Sequence, residues 1–171
     1  VGRNGDQQDL AHDRRNRPEL RHDAGWQLFA HQVQALGDLL LDAQQGAAAK
    51  AIERIRSTFA KLAEKGKLTA EAAAAAGERL TAVESHGELA GSALVVEAIV
   101  ERLDVKRQLF AQLEGIVEAV CILATNTSSL SVTEMASQLA HPERVVGFHF
   151  FNPVAVLPLL EVVRAERTDD A

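Results

Sequence analysis

Three polar side chains in the second half of the chain have the types needed to remove a proton from a substrate. His149 lies in the string Phe-His-Phe-Phe, Glu161 lies in the next strand-like run, and Ser128 lies in an Asn-Thr-Ser-Ser run. A carboxylate that accepts a hydrogen bond from one imidazole nitrogen fixes the tautomer and leaves the other nitrogen as a base. A nearby serine hydroxyl can hold the substrate oxygen. The combination predicts a proton-abstracting site.

Each of these residues also has a simpler interpretation. A lone histidine among phenylalanines is more often a core residue whose hydrogen bonds are satisfied, and an Asn-Thr-Ser-Ser run is more often a loop that caps a helix. Asp42, which follows a short apolar run, has the N-cap of the next helix as its default interpretation. At the level of single residues these alternatives stay open.

The segments around these residues alternate between two patterns. Short apolar runs typical of buried strands cover residues 39–41, 80–83, 94–99, 121–124, 145–151 and 159–163. The run at 94–99 is apolar enough to predict a strand covered on both faces. Helices are predicted between the strands, at roughly 52–65, 69–79, 105–116 and 132–139. Strands that alternate with helices predict βαβ units, and hence an α/β fold with a parallel sheet and helices on both faces.

Local signals support two of these helix boundaries. Lys65-Gly66 closes the first long helix, with a basic residue in the last turn and glycine just beyond it. Thr69 is a suitable N-cap for the alanine-rich helix that follows. The first of these helices must end, and the second begin, within a few residues.

Polar residues follow several of the predicted strands. In an open parallel sheet, ligands bind beyond the carboxyl ends of the strands. Asp42, Glu101 and Asn126 each come shortly after a strand-like run. A base, its orienting carboxylate and a hydroxyl partner on such a sheet suggest hydride transfer to a nicotinamide.

Composition excludes several other classes of protein. The chain has 171 residues, of which 47% are hydrophobic and 25% charged, and these fractions are typical of a soluble globular protein. No apolar run approaches the roughly 18 residues of a membrane helix. The single cysteine favours a cytoplasmic location over a secreted disulfide scaffold. A net charge of −6 and 4% aromatic residues argue against a nucleic-acid partner.

Three strings resemble a known family. Residues 94–106 (LVVEAIVERLDVK), 124–130 (ATNTSSL) and 145–163 (VVGFHFFNPVAVLPLLEVV) are similar to the NAD-dependent 3-hydroxyacyl-CoA dehydrogenases, which act in fatty acid β-oxidation. The 3-hydroxybutyryl-CoA and 3-hydroxyadipyl-CoA types, the latter from bacterial phenylacetate catabolism, are the most similar. The resemblance extends over residues 39–163. It implies a Rossmann-like, doubly wound sheet that binds NAD and an acyl-CoA substrate.

The resemblance also implies roles for the three candidate catalytic residues. His149 matches the general base that takes the proton from the 3-hydroxyl group, and Glu161 matches its carboxylate partner. Ser128 matches the residue that hydrogen-bonds the reacting oxygen of the substrate.

The resemblance implies further contacts to cofactor and substrate. Asp42 matches the acidic residue that holds the adenosine ribose and favours NAD over NADP. Contacts to the cofactor are implied for Glu101, Lys106, Asn126 and Asn152. Lys65 stands near the position of a basic residue that meets coenzyme A, although the end of a helix explains a lysine there equally well.

Two features depart from the family pattern. The family begins with a strand and a G-x-G-x-x-G phosphate loop about twenty residues before the ribose acid, whereas residues 19–25 read ELRHDAG. Residues 1–36 are therefore expected to form an atypical leader, which an out-of-frame or misassigned 5′ region would explain, and residues 37–171 to form the NAD-binding domain without a normal first strand. The family's C-terminal helical domain, which supplies its homodimer interface, is expected to be absent. From both departures we expect weak NAD binding and little turnover.

Two other interpretations remain open. The chain could be a non-catalytic α/β remnant, or a module that depends on a partner to complete its sheet. Alternatively, His12-Asp13 and His22-Asp23 could be metal ligands of an HD-type hydrolase, although no further histidine or aspartate cluster completes that pattern. The resemblance itself implies no metal.

Overall fold

The strands and helices of the computed structural model follow the predicted alternation. The structure describes residues 37–152, 154, 157 and 159–170. The predictions of an atypical leader, a missing phosphate loop and metal-binding His-Asp pairs fall on residues outside these ranges. The described strands are β1 (Asp38–Leu40), β2 (Leu80–Ala82), β3 (Leu94–Glu97), β4 (Ile122–Thr125), β5 (Val145–Phe150) and β6 (Leu160–Arg164). The α-helices are α1 (Ala47–Glu64), α2 (Ala70–Glu78), α3 (Leu103–Glu114) and α4 (Val132–Ala136), and short 3₁₀ turns cover His86–Leu89 and Pro142–Arg144.

The helix ends follow from local chemistry. The Thr69 side chain accepts a hydrogen bond from the backbone N–H of Ala72, as expected for the N-cap of α2. Gly66 follows α1 with φ of 66°, a left-handed conformation that glycine adopts without steric cost. The interpretation of Asp42 as an N-cap is wrong, because α1 begins after Gly46. Asp42 instead accepts a hydrogen bond from the backbone N–H of Gln44 at 2.8 Å in a local turn.

The described strands form two separate sheets. β1 pairs in parallel with β2, and the second sheet has the order β3-β4-β5-β6. The first three strands of this second sheet are parallel and β6 is antiparallel to β5, so the expected parallel sheet is in fact mixed. The link between β5 and β6 is too short for the crossover that a parallel pair requires. Among the described residues, four strands pair along one edge only, namely β1, β2, β3 and β6.

The apolar core lies on one face of the four-stranded sheet. Phe110 and Leu113 of α3 and Met135 of α4 are fully buried against Leu123 of β4 and Val145 of β5. The spacing of the apolar residues on α3 places one side of that helix against the sheet. These contacts hold β4 and β5 side by side, and their carboxyl ends carry the candidate site.

The prediction that β3 is covered on both faces is wrong. Val96 of β3 is 41% exposed and Ile122 of β4 is 40% exposed. Their side chains lie on the opposite face from Leu123, because side chains alternate along a strand. The strand also ends at Glu97, two residues earlier than predicted.

Candidate functional site

A hydrogen-bonded chain of three side chains lies at the carboxyl ends of β4 and β5. The hydroxyl oxygen of Ser128 is 3.1 Å from Nε2 of His149, and Nδ1 of His149 is 3.3 Å from a carboxylate oxygen of Glu161. An ionised carboxylate only accepts hydrogen bonds, so in the neutral imidazole Nδ1 carries the proton. Nε2 is then the acceptor, and the Ser128 hydroxyl donates to it. The arrangement leaves a basic nitrogen next to a hydroxyl group.

The antiparallel pairing of β5 and β6 creates this contact. His149 and Glu161 are direct partners in the β5–β6 register, so both side chains point to the same face. The His149 ring also packs against Phe151, with ring centroids 4.7 Å apart. The side chain of His149 is 22% exposed and that of Glu161 is 55% exposed. A small molecule can therefore reach the imidazole, which is not a sealed core residue.

A glycine allows β5 and β6 to approach closely near this pair. Gly147 lies two residues before His149, on the same face of β5. A Cβ atom placed on Gly147 would lie 2.9 Å from Cβ of Val163 and 3.1 Å from Cγ2 of Val132. Real Cβ atoms do not approach that closely, so the register that pairs His149 with Glu161 depends on a glycine at this position.

A second polar cluster lies at the end of β3. Lys106 is fully buried, and its Nζ lies 2.8 Å from both carboxylate oxygens of Glu97. The hydroxyl of Thr125 also donates to Glu97. Glu97 and Thr125 were not singled out from the sequence. A glutamate inside an apolar strand run was the available signal, because a buried charge requires a partner.

Glu101 joins the second cluster to the first. Its carboxylate is 3.5 Å from Nζ of Lys106 and accepts hydrogen bonds from the loop that carries Ser128. Partial burial by itself would raise the pKa of Glu101, but the hydrogen bond from Thr127 and the charge of Lys106 outweigh it and hold the pKa below its ordinary value. Glu101 is therefore a carboxylate throughout the neutral range.

The remaining predicted site residues lie outside the hydrogen-bonded chain of Ser128, His149 and Glu161. The side-chain oxygen of Asn126 accepts a hydrogen bond from the backbone N–H of Phe150 at 3.1 Å, which ties the end of β4 to the end of β5. Asn152 is exposed two residues beyond β5, and Asp42 is exposed two residues beyond β1. Lys65 is the exposed C-cap of α1 and makes no described contact with the cluster around His149.

The part of the chain that the structure describes holds no group of three or more histidine, cysteine, aspartate or glutamate side chains arranged to bind a metal ion. Within the same ranges, no helix combines the length and hydrophobicity that crossing a membrane requires.

Comparison with known proteins identifies similar sequences. Residues 27–171 match the family described as "3-hydroxyacyl-CoA dehydrogenase, NAD binding domain". The chain is 44% identical over 133 residues to a 3-hydroxyadipyl-CoA dehydrogenase from Escherichia coli (strain K12), a match that covers 78% of this chain and 27% of that protein. It is 39% identical over 132 residues to a fatty acid oxidation complex subunit alpha from Pseudomonas putida, with 77% of this chain and 18% of that protein covered.

Solved structures show the same relationship. A crystal structure of 3-hydroxybutyryl-CoA dehydrogenase from E. coli K12 superposes with a TM-score of 0.75 at 43% identity, covering 77% of this chain and 28% of that one. The (S)-3-hydroxybutyryl-CoA dehydrogenase from Ralstonia eutropha superposes with a TM-score of 0.75 at 36% identity, covering 81% of this chain and 49% of that one. The chain thus spans half or less of the length of these relatives.

Proposed function

Because the chain belongs to the 3-hydroxyacyl-CoA dehydrogenase family, in which it matches the NAD-binding domain, we propose that it takes part in hydride transfer between the C3 hydroxyl of a 3-hydroxyacyl-CoA and NAD. The matches confirm three predictions from the sequence: the family, the Rossmann-like fold and NAD as the cofactor of this domain. The observation that carries the proposed reaction is the Ser128–His149–Glu161 chain at the strand ends.

In this proposal His149 is the general base. Its Nε2 accepts the proton of the substrate 3-hydroxyl group, while Glu161 keeps the other ring proton on Nδ1 and stabilises the imidazolium that forms. The Ser128 hydroxyl, which donates to Nε2 in the structure, turns to the substrate oxygen and holds it beside the base. NAD held beside these residues would supply the hydride acceptor for C3. The reverse reaction returns the proton from His149 to the oxygen.

The polar residues at the strand ends fit parts of the cofactor. Asp42 uses one carboxylate oxygen for the backbone of Gln44, so the other oxygen can accept a hydrogen bond from the adenosine ribose. Asn126 uses its carbonyl oxygen for Phe150, so its amide N–H groups can donate to a ligand at the ends of β4 and β5. Asn152, exposed at the end of β5, would contact the nicotinamide end. Lys65 would meet the coenzyme A part of the substrate from the end of α1.

Cofactor binding is tested without relying on turnover. Calorimetric titration with NAD should give weak but saturable binding, and the Asp42→Ala variant should lose it, because the ribose hydroxyls lose their acceptor. The Asp38→Ala variant is the control, since it removes an exposed carboxylate from the first residue of the same strand rather than from its carboxyl end. Equal affinities in all three proteins would contradict the assignment of Asp42.

The chemical step is tested by NADH formation from 3-hydroxybutyryl-CoA at saturating NAD. His149→Gln should lower the rate by a factor on the order of 10²–10⁴, the usual contribution of a general base. His141→Gln is a matched control, because His141 also contacts a carboxylate, that of Glu143 at 3.0 Å, but lies before β5 rather than at its carboxyl end. An equal loss in both variants would refute the role of His149.

A second candidate is a partner-dependent module without catalytic activity of its own. The unpaired edges of β1 and β3 among the described residues, and the exposed Val96 and Ile122, favour it. A wild-type chain that neither binds NAD nor forms NADH would support this second candidate over the first.

The names of the matched proteins support a metabolic role for the proposed activity. The matched proteins are named as a fatty acid oxidation complex subunit alpha and a 3-hydroxyadipyl-CoA dehydrogenase, which supports a role in fatty acid oxidation. A role in phenylacetate catabolism is implied by the family resemblance alone. Cys121 is a buried free thiol, which is consistent with a reducing, cytoplasmic compartment.

A further inference from the structure

The loop that carries Ser128 is held by a single carboxylate oxygen. Oε1 of Glu101 accepts hydrogen bonds from the Thr127 hydroxyl, from the backbone N–H of Ser128 at 3.3 Å and from the Ser129 hydroxyl at 3.3 Å. Three consecutive residues of the loop therefore donate to one atom on a different element. Hydrogen bonds to an ionised acceptor are the stronger kind, so this contact determines where the loop lies.

Thr127 extends the effect of Glu101 along the loop. Its hydroxyl donates to Glu101 and accepts hydrogen bonds from the backbone N–H groups of Leu130 at 3.0 Å and Ser129 at 3.4 Å. The residue is only 6% exposed, so water does not readily replace these partners. Without the Glu101 carboxylate, the Thr127 hydroxyl loses the acceptor that orients it, and the turn at Ser128 loosens.

Glu101 itself is held in place by a buried charge. Nζ of Lys106 lies between Glu97, at 2.8 Å, and Glu101, at 3.5 Å. The Lys106 side chain is 1% exposed, and its position is set by Glu97 and by α3. The buried ammonium group of Lys106 therefore holds Oε2 of Glu101, while Oε1 accepts the hydrogen bonds from the loop.

We propose that Glu101 is a positioning residue, whose carboxylate holds the 127–129 loop so that the Ser128 hydroxyl faces Nε2 of His149. This role differs from the cofactor contact that the family resemblance implies for Glu101, and it rests on the proposed function because it concerns the same base. Glu101 acts on the reacting atoms through Ser128 and does not touch them.

The first test measures the hydrogen bonding of the His149 ring nitrogens directly and needs no turnover. Long-range ¹H–¹⁵N NMR spectra of the imidazoles report the hydrogen bonding of each ring nitrogen, and a His149→Gln spectrum assigns the His149 signal. Ser128→Ala defines the Nε2 shift that follows loss of the hydroxyl. Glu101→Ala should produce the same Nε2 shift as Ser128→Ala, and the double variant should add nothing, because both changes remove one hydrogen bond.

Two further variants sharpen this test. Thr127→Val keeps the side-chain shape and removes the hydroxyl that links Glu101 to the loop, so it should reproduce the shift. Glu143→Ala is the control: Glu143 is another glutamate hydrogen-bonded to a histidine, but its partner is His141. It should move the His141 signal and leave His149 unchanged. An unchanged His149 signal in Glu101→Ala, or in Ser128→Ala, would overturn the proposal.

The second test separates positioning from cofactor binding. In Glu101→Ala the Kd for NAD should stay within about twofold of wild type, while kcat falls by about tenfold or more, because the change affects the reacting geometry and not the nucleotide. A Kd weakened by about tenfold at unchanged kcat would instead identify Glu101 as a cofactor contact. If the wild type neither binds NAD nor turns over, the proposed function fails, and the NMR result still decides whether Glu101 positions Ser128.

Discussion

Replacement of Lys106 by methionine should strongly destabilise the protein. Methionine has a similar length, so the change removes the ammonium group with little loss of packing. The carboxylate of Glu97, whose side chain is 2% exposed, then remains buried without a cation. It keeps hydrogen bonds from the Thr125 hydroxyl and from the backbone N–H of Ile99 at 3.1 Å. Breaking a buried ion pair from one side costs about 3–5 kcal/mol.

The two remaining hydrogen bonds place the expected loss near the lower end of that range. A loss of about 3 kcal/mol, with an m-value of about 2 kcal/mol/M, lowers the urea midpoint by about 1.5 M. Far-UV circular dichroism is the suitable signal, because the helices lie in the described part of the chain whereas the only tryptophan, Trp26, lies outside it.

A double variant tests the physical reason for this loss. Glu97→Gln combined with Lys106→Met removes the unpaired buried carboxylate and keeps an oxygen that accepts the hydrogen bond from Thr125. At least half of the lost stability should therefore return. A Lys106→Met midpoint within about 0.5 M of wild type would refute the reasoning. So would a double variant that is no more stable than the single variant.

Three further predictions follow from the contacts near the site. Gly147→Ala should cost about 1–3 kcal/mol, measured by urea unfolding, because its Cβ atom would overlap Val163 of β6. An unchanged midpoint would mean that β5 and β6 separate without cost. The folded-state pKa of Glu101 lies below its unfolded value, so its contribution to stability is fully present above that unfolded value and is lost as the pH falls through the folded pKa. The stability difference between wild type and Glu101→Gln, measured by urea unfolding at a series of pH values, should therefore be constant near neutrality and disappear in acid. Burial raises the pKa of the Cys121 thiol, so its reaction with a thiol reagent should follow unfolding, and immediate reaction in the native protein would contradict the buried placement.

Several parts of the fold could be predicted because their signals are local. Thr69 caps α2 through an amide three residues away, and Gly66 ends α1 through its own backbone conformation. Where the prediction depended on distant partners it was less accurate: β6 pairs with β5 in the antiparallel sense, so the expected parallel sheet is mixed. One local signal was also misread. The interpretation of Asp42 as an N-cap was wrong because an acidic residue before a helix also forms local turns, and the structure begins α1 after Gly46.

Some residues of the candidate site could likewise be predicted from the sequence, and others could not. His149, Glu161 and Ser128 could be selected from residue types and family strings, and the structure brings their side chains together. Thr127 and Ser129 were not singled out, because their importance depends on the direction of the Glu101 side chain. Nothing in the sequence around Thr127 shows that its hydroxyl will donate a hydrogen bond to a carboxylate 26 positions earlier.

The amino-acid sequence alone predicts the alternation of strands and helices and the residue types of the base, its carboxylate and its hydroxyl partner. These depend on apolar periodicity, capping and short strings, which act over a few residues. The folded structure was needed to establish that β6 runs antiparallel to β5, that Lys106 is buried against Glu97, and that Glu101 accepts hydrogen bonds from the Ser128 loop. Each of these joins groups that are distant in the chain, and their pairing is set by how the sheet and α3 pack together.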